Sequence, residues 1–124
     1  MPKKSIAMAR GCVVLDQNLN NLKKGLEDRN IRTLISNIEL LDFEMKKVFL
    51  SNRIVITDNS KNLIDDAPCL DYGIITTEEL SSRNNDLVKL ISKAITSFSL
   101  WTKRHGYILT LKESGKHKYR ELTQ

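Results

Sequence analysis

The residues of this chain best equipped for chemistry stand near its end. Lys112, Lys116, His117, Lys118 and Arg120 crowd a short segment around Glu113-Ser114-Gly115-Lys116, which reads as a turn. Cations packed on a hairpin tip suit a phosphate backbone or the edge of a minor groove. Upstream, Lys89, Lys93, Ser97, Lys103 and Arg104 recur at helical spacing and share a polar, positive face. Such a face suits a major groove, where Lys and Arg meet phosphates or guanine edges. His105 and His117, with Lys103 and Lys116 nearby, are general acid–base groups by type. GxSxG, HExxH and phosphate-cradling glycine loops are all missing, so the chain is expected to have no catalytic residues and not to be an enzyme. Asp65, Asp66 and Asp71 are hard oxygen ligands, but no calcium loop surrounds them. No metal, cofactor or small-molecule ligand is expected.

Charge supports a polyanionic partner. The chain carries a formal +5, unevenly spread: +4 over 1–56, −5 over 57–82 and +6 over 83–124. The positive excess collects where the polar helix face and the turn fall, which is the footprint of a phosphate-binding surface. The partner expected is nucleic acid, and duplex DNA in particular. A lysine-rich solvated surface is the alternative origin of the same charge.

These side chains need elements to hold them. Tyr107 to Leu111 and Lys118 to Leu122 read as two strands joined by the turn, with Tyr107 and Tyr119 facing each other. Leu87 to Arg104 reads as an amphipathic helix closed by Gly106, with Leu87, Ile91, Ala94, Ile95, Phe98 and Trp101 on its apolar face. Gly73-Ile74-Ile75 reads as a short strand, and Thr76 with Glu79 has the spacing of a capping box. Asn84-Asn85-Asp86 reads as the turn between two helices. This order, carried by Ile75-Thr76, Glu79-Leu80, Ile91, Ala94, Ile95, Phe98, His105 to Ile108 and Lys116 to Thr123, resembles the winged helix-turn-helix domain of many DNA-binding regulators. The resemblance covers 73–123 and implies DNA binding through the second helix and a basic wing.

The first half shows helical periods. Met8, Cys12, Leu15, Leu19, Leu22 and Leu26 step by four and three, a heptad seam. Ile31, Leu34, Ile35, Ile38, Leu41, Met45, Val48 and Phe49 form a second, wider apolar face. Together they predict an antiparallel helical hairpin over 6–52. Leu15, Leu19, Leu22 and Leu26 are the candidate homodimer interface, the alternative being that the seam packs within one chain. Arg53 to Thr57 leans to strand through its β-branched residues, and 53–72 is expected to be an acidic loop region with about one helical turn.

The fold class expected from sequence is therefore mainly α with a C-terminal β-hairpin. In it, one domain over 1–124 joins the helical hairpin to a winged-helix-like part at 73–122. The alternative is a three-helix bundle with a β-ribbon, because Leu80, Asn84, Leu87, Ile91, Ala94, Phe98 and Trp101 also hold a heptad step. The function expected is that of a small dimeric DNA-binding regulator, specific or structural; the alternative is a helical protein–protein interaction or scaffolding protein. No membrane span or secretory signal is read from the sequence. Two distant cysteines, Cys12 and Cys69, fit a reduced cytoplasmic or otherwise intracellular setting, with a single bridge as the alternative.

Overall fold

A computed structural model describes residues 12–80, 86–103 and 106–122. It overturns the mainly α expectation: the chain is an α/β protein, about 38% helical and 25% strand, built on a six-stranded mixed sheet. The strands are β1 (Cys12–Asp16), β2 (Arg32–Ser36), β3 (Ile54–Thr57), β4 (Gly73–Thr76), β5 (Tyr107–Thr110) and β6 (Lys118–Glu121). The order across the sheet is β2-β1-β3-β4-β5-β6. The first five strands are parallel, and β6 pairs antiparallel with β5. Four α-helices accompany them among the described residues: α1 (Lys23–Asp28), α2 (Phe43–Phe49), α3 (Ala67–Leu70) and α4 (Leu87–Ser97).

The central strands explain themselves once they are known to be covered on both sides. Cys-Val-Val-Leu-Asp, Ile-Val-Ile-Thr and Gly-Ile-Ile-Thr are buried at every position. A parallel sheet sandwiched between helices selects such unbroken, β-branched runs rather than alternation. On the first face lie Val13, Leu15, Ile54, Ile56, Ile75, Tyr107 and Leu109, covered by Leu22 and Leu26 of the β1–β2 connection and by Ile91, Ala94 and Ile95 of α4. On the second face lie Val14, Val55, Ile74 and Ile108, covered by Ile38, Leu50, Leu63, Ala67 and Leu70. Gly25 lets α1 approach α4, since a Cβ there would stand 2.9 Å from a methyl of Val88.

Several expected elements are corrected. The heptad seam is not a helix: its first part is β1, followed by a 3-10 segment (Gln17–Leu22) and then short α1. Leu15, Leu22 and Leu26 are buried and Leu19 packs on the same cluster, so the seam faces its own sheet. The second half of the helical hairpin is also broken. Residues 32–36 form β2, and only Phe43–Phe49 is α-helical. The C-terminal half is not a winged helix, because β4 and β5 are neighbouring parallel strands in the middle of the sheet. The three-helix-bundle alternative fails as well, since Thr76 closes β4 and the helix that carries Ile91, Ala94 and Ile95 starts at Leu87. Thr76 therefore caps no helix; its hydroxyl accepts the Glu78 N–H at 3.2 Å. Asn84-Asn85 lies outside the described residues. Helix α4 ends at Ser97, earlier than the glycine suggested, and Ser99 adopts a left-handed conformation before a 3-10 turn at Leu100–Thr102. Other expectations hold. Arg53–Thr57 does contain a strand, and one helical turn (α3) sits in the acidic region. The terminal hairpin forms, with the Tyr107 and Tyr119 rings stacked at 5.5 Å.

Candidate functional site at the carboxyl edge of the sheet

In parallel sheets a crevice opens beyond the carboxyl ends of adjacent strands whose connections leave to opposite faces. Here that condition is met twice, on both sides of β3. The chain leaving β3 turns to the second face, through Leu63, Ala67 and Leu70. The chains leaving β1 and β4 both turn to the first, through Leu22 and Leu26 and through Ile91, Ala94 and Ile95. The β4–β5 connection consequently has the opposite hand to the other three, an arrangement that crossover chirality disfavours. The end of β3 is thus flanked by two divergent loops.

The residues at this point are polar. Asp16 closes β1 and is only 3% exposed, and Thr57 closes β3 fully buried. The Thr57 hydroxyl donates to Asp16 Oδ2 at 2.9 Å and accepts from the Asn59 N–H at 3.0 Å. On the other side of β3, both the backbone N–H and the hydroxyl of buried Ser60 donate to Glu78 Oε1, the hydroxyl at 3.0 Å. The Thr77 N–H donates to Thr57 O at 3.0 Å, which ties the two loops together. A buried carboxylate is costly unless paired, coordinated or hydrogen-bonded. Among the described residues no cation pairs with buried Asp16 or with the exposed Glu78.

The basic tip belongs to the same edge. Strand β5 ends at Thr110, so the turn through Lys112 to His117 projects beyond the carboxyl ends, and β6 starts from it at Lys118. Lys112 Nζ forms an ion pair with Glu79, which anchors the tip beside the loop that leaves β4. Gly115, at φ 85°, makes the tight turn without side-chain strain. The Nδ1 of His117 accepts the Lys112 N–H at 3.0 Å, and burial lowers the imidazole pKa. Lys116 and Lys118 stay exposed. The edge therefore runs from acidic at β1, β3 and β4 to basic at the β5–β6 tip.

The sequence-derived set is divided by this geometry. Lys112, Lys116, His117 and Lys118 are brought together at the carboxyl edge. Arg120, two residues along β6, is exposed further down the sheet. Lys89, Lys93 and Ser97 are exposed along α4. Lys103 lies beyond the far end of that helix, with Nζ 5.1 Å from the centroid of the Tyr119 ring. Arg104 and His105 lie outside the described residues. Asp16, Thr57, Ser60 and Glu78 were missed by sequence reading. The available signal was an acid or hydroxyl directly after each buried β-branched run: Leu15-Asp16, Ile56-Thr57 and Ile75-Thr76-Thr77-Glu78. Asp66 is held by Lys46 Nζ at 2.8 Å. Among the described residues no group of three or more His, Cys, Asp or Glu stands where it could hold a metal ion. No helix among them is long and apolar enough to cross a membrane.

The fold and this edge define a three-layer α/β protein with a mixed-charge carboxyl edge. Comparison with protein-family models, curated proteins and solved structures found no match.

Proposed function

We propose that the chain binds a nucleic-acid strand across the carboxyl edge of its sheet, with the β5–β6 tip holding phosphates. The observation that carries this reading is the Lys112–Glu79 ion pair. It fixes a cluster of cations beside the divergent loops where sheets of this kind take their ligands. The overall +5 charge supports the same partner class. The test is a salt titration of binding to a fluorescent single strand and to a duplex. Replacing Lys112, Lys116, Lys118 and Arg120 by alanine removes up to four phosphate contacts. The slope of log K against log salt then flattens by about 0.7–0.9 per contact. An unchanged slope and affinity contradict the reading.

A second reading, cleavage of the bound strand, is favoured by Asp16. This carboxylate sits buried at the end of β1 with a hydroxyl for its donor and no cation paired with it among the described residues. Magnesium is commonly held by one or two carboxylates together with the substrate's own phosphates. Magnesium-dependent cleavage by the wild type, lost in Asp16→Asn while binding persists, supports this reading; no cleavage with any divalent cation refutes it.

A further inference from the structure

Helix α2 is inside out. Its buried residue is Lys46, 7% exposed, whereas Phe43, Met45, Val48 and Phe49 are exposed, Val48 at 73%. An amphipathic helix on a sheet ordinarily does the reverse. The inversion is held by chemistry: Lys46 Nζ reaches Asp66 and donates to Asn62 O at 2.9 Å, which locks the lysine inward. Asp42 caps the helix start by accepting the Met45 N–H at 2.9 Å.

The exposure is localised. Every large apolar side chain exposed among the described residues lies between Leu34 and Phe49: Leu34, Ile35, Leu40 and the four on α2. Leu34 is on the same face of the sheet as α2, since its register partner Val14 belongs to the second-face core. Strand β2 is the edge of the sheet and pairs only with β1 among the described residues. An edge strand with exposed apolar residues is a template for another strand.

We infer that this face, the free edge of β2 with the outer side of α2 and Leu40, is where a second copy of the chain docks about a two-fold axis. Three observations favour a second copy. The exposed surface of the six residues on this side of the sheet, Ile35 lying on the other side with Leu15, comes to roughly 500–650 Å², approaching the ~800 Å² per partner of a standard interface. The edge of one β2 is complementary to itself when antiparallel, as a two-fold contact requires. The rim carries both signs, with Arg32 and Lys47 against Glu39, Asp42 and Glu44, all exposed, so the patch can meet itself without like-charge conflict.

The test is sedimentation velocity of the full chain over a concentration series, with light scattering for mass. The wild type is expected to approach about 28 kDa, twice the 14.2 kDa chain. Leu40→Asp and Val48→Asp, at the two most exposed positions, are expected to shift dimerisation at least tenfold towards monomer while thermal unfolding of the monomer is kept. A wild type that stays at 14 kDa to several hundred micromolar overturns the inference and leaves the face to a different protein. A dimer unaffected by both substitutions overturns it equally.

Discussion

Lys46 offers a sharp test of how the second face is built. Its ammonium is the one buried cation among the described residues, with the Asp66 side chain 30% exposed beside it. Removing one partner of a fully buried pair costs about 3–5 kcal/mol. Asp66 keeps part of its hydration, so Lys46→Met, which retains the apolar stem, is expected to cost about 2–3 kcal/mol, most of it from the stranded Asp66 carboxylate and the Asn62 carbonyl. For a domain of this size that lowers Tm by about 8–15 °C. Asp66→Asn strands the lysine instead and is expected to cost a similar amount. The double variant Lys46→Met/Asp66→Asn is expected to recover at least about 1.5 kcal/mol relative to the sum of the singles, a coupling within the range for residues in direct contact. Urea unfolding followed by circular dichroism measures all four proteins. A Lys46→Met protein within about 0.5 kcal/mol of wild type would refute the inward lysine, and with it the outward apolar face of α2.

Two further outcomes are expected. Burial lowers the His117 pKa, so the unfolded chain binds the proton more tightly and the tip's contribution to stability is present above pH 6.5 and lost as pH falls through the folded value. Protonated Nδ1 can no longer accept the Lys112 N–H, so exchange of that amide, corrected for its intrinsic rate, should speed up on acidification, and a pH-independent protection factor would contradict this. Of the two cysteines, Cys69 is exposed, while Cys12 is buried in β1, where burial pushes its thiol pKa up. One thiol per chain should therefore react rapidly with a disulfide reagent under native conditions, and two equally fast thiols would refute the position of β1.

How far the sequence reveals this fold depends on the element. The antiparallel hairpin was legible from its turn residues Glu113-Ser114-Gly115-Lys116, and the apolar face of α4 from the 3.6 period of Ile91, Ala94 and Ile95. Strand β1 was hidden. Cys12-Val13-Val14-Leu15 is covered on both faces, so it shows no alternation, and Leu19, Leu22 and Leu26 continue its spacing into an apparent heptad. Such runs cannot be told from buried helix by periodicity alone. Strand β2 and α2 mimicked a single helix because α2 turns its apolar side outward. A helical period running through exposed residues therefore looked like a core face. The basic tip of the site was legible from composition, whereas the acidic half was not. Asp16 and Glu78 lie 62 positions apart, since 78 − 16 = 62, and are assembled only by strand order.

The most direct test of the central claim is a chemical-shift map of the isotopically labelled chain titrated with a short oligonucleotide. The account predicts that perturbed amides cluster at 16–20, 57–60, 77–80 and 112–118, the four loops of the carboxyl edge. Perturbations confined to the outer face of α4 and the opposite edge of the sheet, or none at low salt, would contradict it.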